Sequence, residues 1–296
     1  MKKKIVIAGG TGFIGKYLQQ KMEELAYEVK IISRKKNDVK WGNEEDIIIA
    51  LENADMLINL AGKSVDCRYN EKNKEEIYDS RINTTKQLGE AIEKCKNPPA
   101  LWINSSTATI YRHAEDKPMT ESNGEIGSGF SVGIATAWEK SFFDFNFKRT
   151  RQVALRMAIV LGRDGGVMHP LKNLVRVGLG GQSGKGNQMF SWIHIEELLN
   201  IILFIDQNKN LHGAINIAAP YPETNKSFMN KCRKHMNMPF GFPIPKWLLE
   251  IGAVLIKTET ELILKSRWVI PETLLNAGYI FKYPTLNEAL KEILND

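Results

Sequence analysis

The chemistry open to this chain begins at Gly9, Gly12 and Gly15. This Gly-x-x-Gly-x-x-Gly series follows the apolar run Ile5 to Ala8 and precedes Leu18, Met22 and Leu25 at helical spacing. Glycines at a strand-to-helix turn let the main chain approach a pyrophosphate, and the helix N-terminus offers it N–H groups and a partial positive charge. With Thr11, Phe13 and Ile14, which lie inside the series, they are the first candidate cofactor contacts. A second apolar run closes on Ser33-Arg34-Lys35-Lys36, about twenty residues past the glycines. An acid at this place bonds the adenine ribose of NAD, whereas arginine accommodates the 2′-phosphate of NADP. The run of cations therefore predicts NADP over NAD, with Ser33 and Arg34 beside the phosphate.

Leu60-Ala61-Gly62 ends a third apolar run, and Ser105-Ser106-Thr107 ends a fourth. Small residues let the chain pass close to a nucleotide, and hydroxyls at a strand end can hold a substrate oxygen beside a nicotinamide ring. Ser105 thereby joins the candidate cofactor contacts. Two further side chains could move a proton. Tyr111 follows Thr107 by four residues, and His194 stands in Trp192-Ile193-His194-Ile195-Glu196-Glu197. A histidine flanked by apolar residues also suits a packing position, as does Tyr111. Glu196 and Glu197 read as first-turn acids that favour the helix dipole.

Positioning these groups takes alternating strands and helices. Tyr27 to Ile32 reads as a strand parallel to the first through a right-handed crossover. A short helix is expected over Glu44 to Asn53, a strand from Asp55, and a helix from about Asn73 to Cys95 that Asn97-Pro98-Pro99 ends. Strands follow at Trp102 to Asn104, Arg151 to Leu161 and Gly213 to Ala218, with helices at Met168 to Val177 and from Asn225. Pro239, Pro243, Pro245 and Trp247 make a rigid connection to helical segments at Leu248 to Ile256, Thr260 to Lys265 and Leu286 to Leu294. The pattern specifies an α/β protein with a doubly wound parallel sheet, the Rossmann NAD(P)-binding arrangement, and a smaller C-terminal substrate lobe.

Composition narrows the function classes. A formal charge of +6 over 296 residues favours anionic small ligands, but no basic run is interleaved with aromatics, so nucleic acid is not the expected partner. The glycines interrupt the N-terminal apolar run after four residues, which argues against both a signal peptide and a membrane span. Cys67, Cys95 and Cys232 are far apart and in no metal spacing. A reduced, cytoplasmic protein with a small-molecule substrate and no metal is the expectation.

These stretches together resemble a known family. Gly9 to Gly15, Asn59-Leu60-Ala61-Gly62 and Ser105-Ser106-Thr107-Ala108-Thr109-Ile110-Tyr111 are similar to the extended short-chain dehydrogenase/reductases, the sugar-nucleotide epimerase group. Ser80-Arg81-Ile82-Asn83-Thr84-Thr85, Trp138-Glu139, Leu179-Gly180-Gly181 and Phe190 to Glu197 resemble an atypical, epimerase-like branch, and Leu264 to Leu290 resembles that branch's small tail. The resemblance implies an NAD(P)-binding domain over residues 1–237, which includes part of the substrate lobe from about residue 163, and a family tail over 238–296. It implies that Thr107 is the catalytic hydroxyl, bonding the oxygen of the reacting carbinol or carbonyl, and that Met157 lies at the nicotinamide end of the crevice.

One departure stands out. The family carries a Tyr-x-x-x-Lys pair in which the tyrosine exchanges the hydroxyl proton while the lysine lowers its pKa and holds the ribose. Aligned through Glu139, the pair falls on Ser131 and Ala135. Thr136 and Lys140 keep the spacing, but threonine is too weak an acid; Tyr17 and Lys21 keep it only on the first helix. The sequence thus predicts an NADP-dependent oxidoreductase or epimerase acting at a carbinol or carbonyl of a small substrate, a nucleotide-linked one included. Without the Tyr-x-x-x-Lys pair, a non-catalytic NADP-binding sensor or interaction protein is the competing class.

Overall fold

The computed structural model describes residues 2–35, 38–245 and 264–294. Seven parallel strands form the central sheet in the order β10-β6-β5-β4-β1-β2-β3. They are β1 (Lys4–Ala8), β2 (Glu28–Ser33), β3 (Val39–Lys40), β4 (Met56–Asn59), β5 (Leu101–Thr107), β6 (Arg151–Met157) and β10 (Gly213–Ile217). Strand order reverses between β1 and β4. At such a switch point neighbouring connections leave to opposite faces and open a crevice beyond the carboxyl ends of the strands.

The inner strands are buried on both faces, and their period of two divides the core. Ile5, Ile7, Met56 and Ile58 point into one cluster, shared with Leu18 and Met22 of α1 (Phe13–Glu24) and Leu198, Ile201 and Ile205 of α6 (Ile195–Gln207). Val6, Ala8, Leu57 and Trp102 point into the other, against α2 (Glu44–Leu51), α3 (Glu71–Lys94) and Phe142 of α4 (Phe130–Phe143). Full burial of each such aliphatic side chain contributes about 1.5–3 kcal/mol relative to exposure.

One sequence expectation is corrected. The strand read through Arg151 to Leu161 is two strands: β6 ends at Met157, and β7 (Ile159–Leu161) leaves the sheet to pair with β9 (Trp192–His194). Ala158 is the corner, its N–H donating to the Ile217 carbonyl, while Ile159 N–H turns to the Ser191 carbonyl. Ser105 to Thr107 form the carboxyl end of β5, in register with Leu155 to Met157, so the strand read over Trp102 to Asn104 runs three residues further.

Beyond β7, a lobe is built on α5 (Met168–Arg176), the antiparallel pair β8 (Met189–Phe190) and β11 (Glu223–Thr224), and α7 (Asn225–His235). The last segment adds α8 (Glu272–Asn276) and α9 (Leu286–Leu294). Leu286, Ala289, Leu290 and Ile293 of α9 bury against Leu161, Trp192 and Phe228. The helices expected at Leu248 to Ile256 and from Thr260, together with Trp247, lie outside the described residues, as does Lys36 of the basic turn. Among the described residues no helix is long and apolar enough to cross a membrane.

Candidate functional site

The crevice opens on a cleft of about 470 Å3. Gly9 leaves β1 at φ +79°, a conformation that side chains of L-residues rarely adopt, and a Cβ there would lie 2.7 Å from the Ala61 amide nitrogen. The glycine turn and the Leu60-Ala61-Gly62 turn therefore touch through their main chains. A Cβ on Gly15 would lie 2.5 Å from Gly10 Cα, so this glycine is needed for packing. Gly12 is different: a Cβ there meets nothing within 4 Å.

Gly12 is the N-cap of α1 and offers no side chain to its first turn, which leaves the early N–H groups of the helix without a capping acceptor. Phe13, Ile14 and Gly15 line the cleft at this turn. Open space over an uncapped helix N-terminus is a cradle that fits a pyrophosphate. Behind it, buried Asn59 shapes the second turn. Its Nδ2 donates to Asn104 Oδ1 at 2.7 Å and to Thr85 Oγ1 at 3.2 Å, while its Oδ1 accepts from Ala61 N–H at 3.0 Å.

Thr107, at the end of β5, reaches the same cleft with Ser105. Its Oγ1 accepts from Thr109 N–H at 3.1 Å, capping a single 3-10 turn (Ala108–Ile110), so its own proton can be donated to a ligand oxygen. Across the cleft, α4 presents Ser131, Ala135 and Trp138. The face that would carry Tyr-x-x-x-Lys thus looks onto the site and carries a short hydroxyl and a methyl group. Thr136 and Lys140 are exposed on the opposite side of α4, with Lys140 paired to Asp144 at 2.9 Å. Tyr17 sits half-buried at a second cleft, its phenol pushed up to about 12 by burial, and Lys21 pairs with Glu24.

The two proposed proton carriers are placed elsewhere. Tyr111 is 2% exposed, donates to Asn216 Oδ1 and accepts from Arg156 Nη1, both at 2.9 Å, and burial pushes its pKa up. That phenol is a strut of the core and does not line the cleft. His194 is the N-cap of α6. Its Nδ1 accepts from Glu196 N–H at 3.2 Å, which assigns the proton to Nε2, where it is donated to Glu292 Oε2 at 2.9 Å. Burial lowers its pKa, and it faces the second cleft, of about 440 Å3, together with Thr11.

Besides Thr11, three predicted contacts do not line the cleft. Met157 pairs with Thr107 in the β5–β6 ladder. Ser33 is buried at the end of β2, and Arg34 beside it is exposed. Here the structure adds an acid that the run of cations conceals: Ser33 Oγ donates to Asp38 Oδ2 at 2.6 Å and accepts from Lys35 N–H at 2.9 Å. Sequence reading also passed over the charged lining of the cleft, Lys63 and Arg81. Arg81 belongs to a stretch that carried the family resemblance, but no spacing rule marks it as facing the site.

A glycine turn, an uncapped helix and a strand-end hydroxyl meeting at the switch point of a parallel sheet define a dinucleotide-cleft protein. Residues 5–218 match the family model of the NAD dependent epimerase/dehydratase family, and residues 244–293 match a domain of unknown function, DUF1731. The chain belongs to the NAD dependent epimerase/dehydratase family. The human epimerase family protein SDR39U1 is 32% identical over 294 residues, spanning 98% of this chain and 99% of that protein. The epimerase family protein YfhF of Bacillus subtilis is 30% identical over 306 residues, spanning 99% and 98%. A crystal structure of human SDR39U1 with NADPH superposes with a TM-score of 0.90, covering 99% of each chain.

Proposed function

We propose that the cleft binds NADPH and that the protein transfers hydride at a carbinol or carbonyl carbon of a small substrate. One observation carries this reading: the uncapped first turn of α1 and the Thr107 hydroxyl open into a single cleft. The N–H groups of Phe13, Ile14 and Gly15 would receive the pyrophosphate, Gly9 and Gly12 would let it approach, and the Leu60-Ala61-Gly62 turn would pass against the nucleotide. Arg34 would answer the 2′-phosphate. The human relative with bound NADPH supports the same choice of cofactor. When bound, the cofactor supplies the hydride. Thr107 would donate to the substrate oxygen and draw charge onto it as the hydride moves, and Ser131 places a second hydroxyl on the opposite wall.

A second reading is favoured by Ser131 and Ala135 standing where the family's acid and cation stand. The protein would then bind NADPH without turnover, and occupancy alone would stabilise it by RT ln(1 + [L]/Kd). Titration with NADPH and NADH, followed by a panel of carbonyl and alcohol substrates with Thr107→Ala as the control, separates the two. Tighter NADPH binding with turnover that Thr107→Ala lowers about a hundredfold is the expected result. Binding without turnover in either direction would sink the enzyme and leave the sensor.

A further inference from the structure

The cleft is lined by two cations, Lys63 and Arg81, and by no carboxylate among the described residues. Lys63 is neutralised locally, its ammonium donating to Asn73 Oδ1 and Glu76 Oε2. Arg81 is held but not neutralised. Its Nη1 donates to the carbonyls of Lys63 and Ile77, both at 3.1 Å, and its guanidinium carbon lies 5.1 Å from the centre of the Trp138 ring. No described carboxylate pairs with it, and burial pushes its pKa down to about 10.

The surroundings fix where this cation can act. A Cβ on Gly62 would come within 3.1 Å of Arg81 Cζ, so the main chain after β4 abuts the guanidinium at the one residue that leaves room for it. With one edge bonded to carbonyls and one face against an indole, the remaining N–H groups form a fixed fork. A planar fork of this kind matches the two oxygens of a carboxylate or phosphate. A bracing role alone would use neutral donors equally well. A positive charge kept in a partly desolvated wall, with no counter-ion among the described residues, is costly unless an anion arrives.

We propose that Arg81 recognises a carboxylate or phosphate group on the small molecule that shares the cleft with the cofactor. The inference rests on the cofactor reading above and deepens it: the substrate is an acid or a phosphate ester. The cofactor's own phosphates are the second source of such a group. The first turn of α1 already supplies uncapped N–H groups for those, which favours the substrate at Arg81.

The test titrates inorganic phosphate and, separately, malonate into the full-length protein, with and without saturating NADPH. The Trp138 indole N–H resonance, assigned with Trp138→Phe, reports on the site. Wild type, Arg81→Lys and Arg81→Gln are compared. The expected result is a saturable shift of the Trp138 signal, weakened about tenfold or more by Arg81→Gln and less by Arg81→Lys, with NADPH affinity held within about twofold. Failure of both anions to move the signal in the wild-type protein overturns the proposal and needs no variant. Anion binding that NADPH abolishes, with an NADPH affinity about tenfold weaker in Arg81→Gln, assigns the guanidinium to the cofactor and overturns the substrate claim. Anion binding at Arg81 in a protein that binds no NADPH supports the anion site and removes the cofactor reading.

Discussion

Glu139 of α4 and Arg156 of β6 form a two-point ion pair inside the protein, with Nη2–Oε2 at 2.7 Å and Nε–Oε1 at 2.9 Å. Ser106 donates to the same carboxylate at 2.6 Å and Tyr111 accepts from the guanidinium, so one network ties α4, β5 and β6 together behind the cleft. Burial works against the charge of Arg156, and the Glu139 carboxylate more than restores it. Removing one partner strands the other. Glu139→Ala is expected to destabilise the fold by about 3–5 kcal/mol in urea unfolding, and a loss below about 1 kcal/mol would show the pair to be dispensable.

Gly12 and Gly15 separate ligand binding from packing. Gly12→Ala places its methyl group in open space over α1, so stability should change by less than about 1 kcal/mol while NADPH affinity falls about tenfold or more. Gly15→Ala drives its methyl group into the Gly10 main chain and should lower the unfolding midpoint sharply before any question of binding arises. Thermal unfolding and NADPH titration of both variants check this. Equal affinity in wild type and Gly12→Ala would remove the pyrophosphate from this turn.

The end of β2 should decide between the two nicotinamide cofactors through charge. Arg34→Ala is expected to weaken NADPH about tenfold and NADH barely, with the difference growing at low salt. Asp38→Asn takes away a negative charge bonded to Ser33 at the same strand end and should tighten NADPH by about threefold. Titrations of both cofactors at two ionic strengths read both effects, and parallel losses for NADPH and NADH in Arg34→Ala would make the cluster a solvated turn.

His194 gives the protein a pH signature away from the cleft. Burial lowers its pKa below the ordinary 6.5 although Glu292, Glu196 and Glu197 pull the other way. The native state therefore binds fewer protons than the unfolded chain once the pH drops below about 6.5, and stability falls there by at most about 1.4 kcal/mol per pH unit. Glu196, whose pKa is held down by Lys282 and Tyr283 against its burial, adds its own loss only as the pH falls below about 4.5, its ordinary value. His194→Asn keeps a capping acceptor without a titrating ring and should flatten the profile between pH 6.5 and 5. Urea midpoints across that interval test it, and an unchanged slope would clear His194 of the effect.

The sheet and the glycine turn were readable in the sequence because their causes are local. Ile5 to Ala8 and Met56 to Ile58 are apolar runs, and Gly9, Gly12 and Gly15 have a fixed spacing from the first. The resemblance through Glu139 also gave the right face of α4, since Ser131 and Ala135 do look onto the cleft. What escaped was decided at long range. Tyr111 is a core strut because Asn216 and Arg156 arrive from other strands, and the Nε2 proton of His194 is taken up because Glu292 arrives from α9. Arg81 faces the cleft because α3 packs against α4, and Asp38 meets Ser33 across a turn of basic residues. No periodicity encodes such meetings.

The acids at the head of α6 have a consequence for synthesis. Glu197 is fully buried, and its oxygens are satisfied by Tyr279 Oη at 2.5 Å and Tyr283 N–H at 2.6 Å; Glu196 is met by Lys282 and Tyr283. These partners come more than eighty residues later in the chain. Until those residues are made, the Glu197 carboxylate lacks the partners that make its burial tolerable, and the apolar lobe lacks the cover of α9. A chain stopped at residue 264 would lack the cover that Leu286, Ala289, Leu290 and Ile293 lay over Trp192 and Phe228, leaving apolar surface of the kind that chaperones and proteases act on.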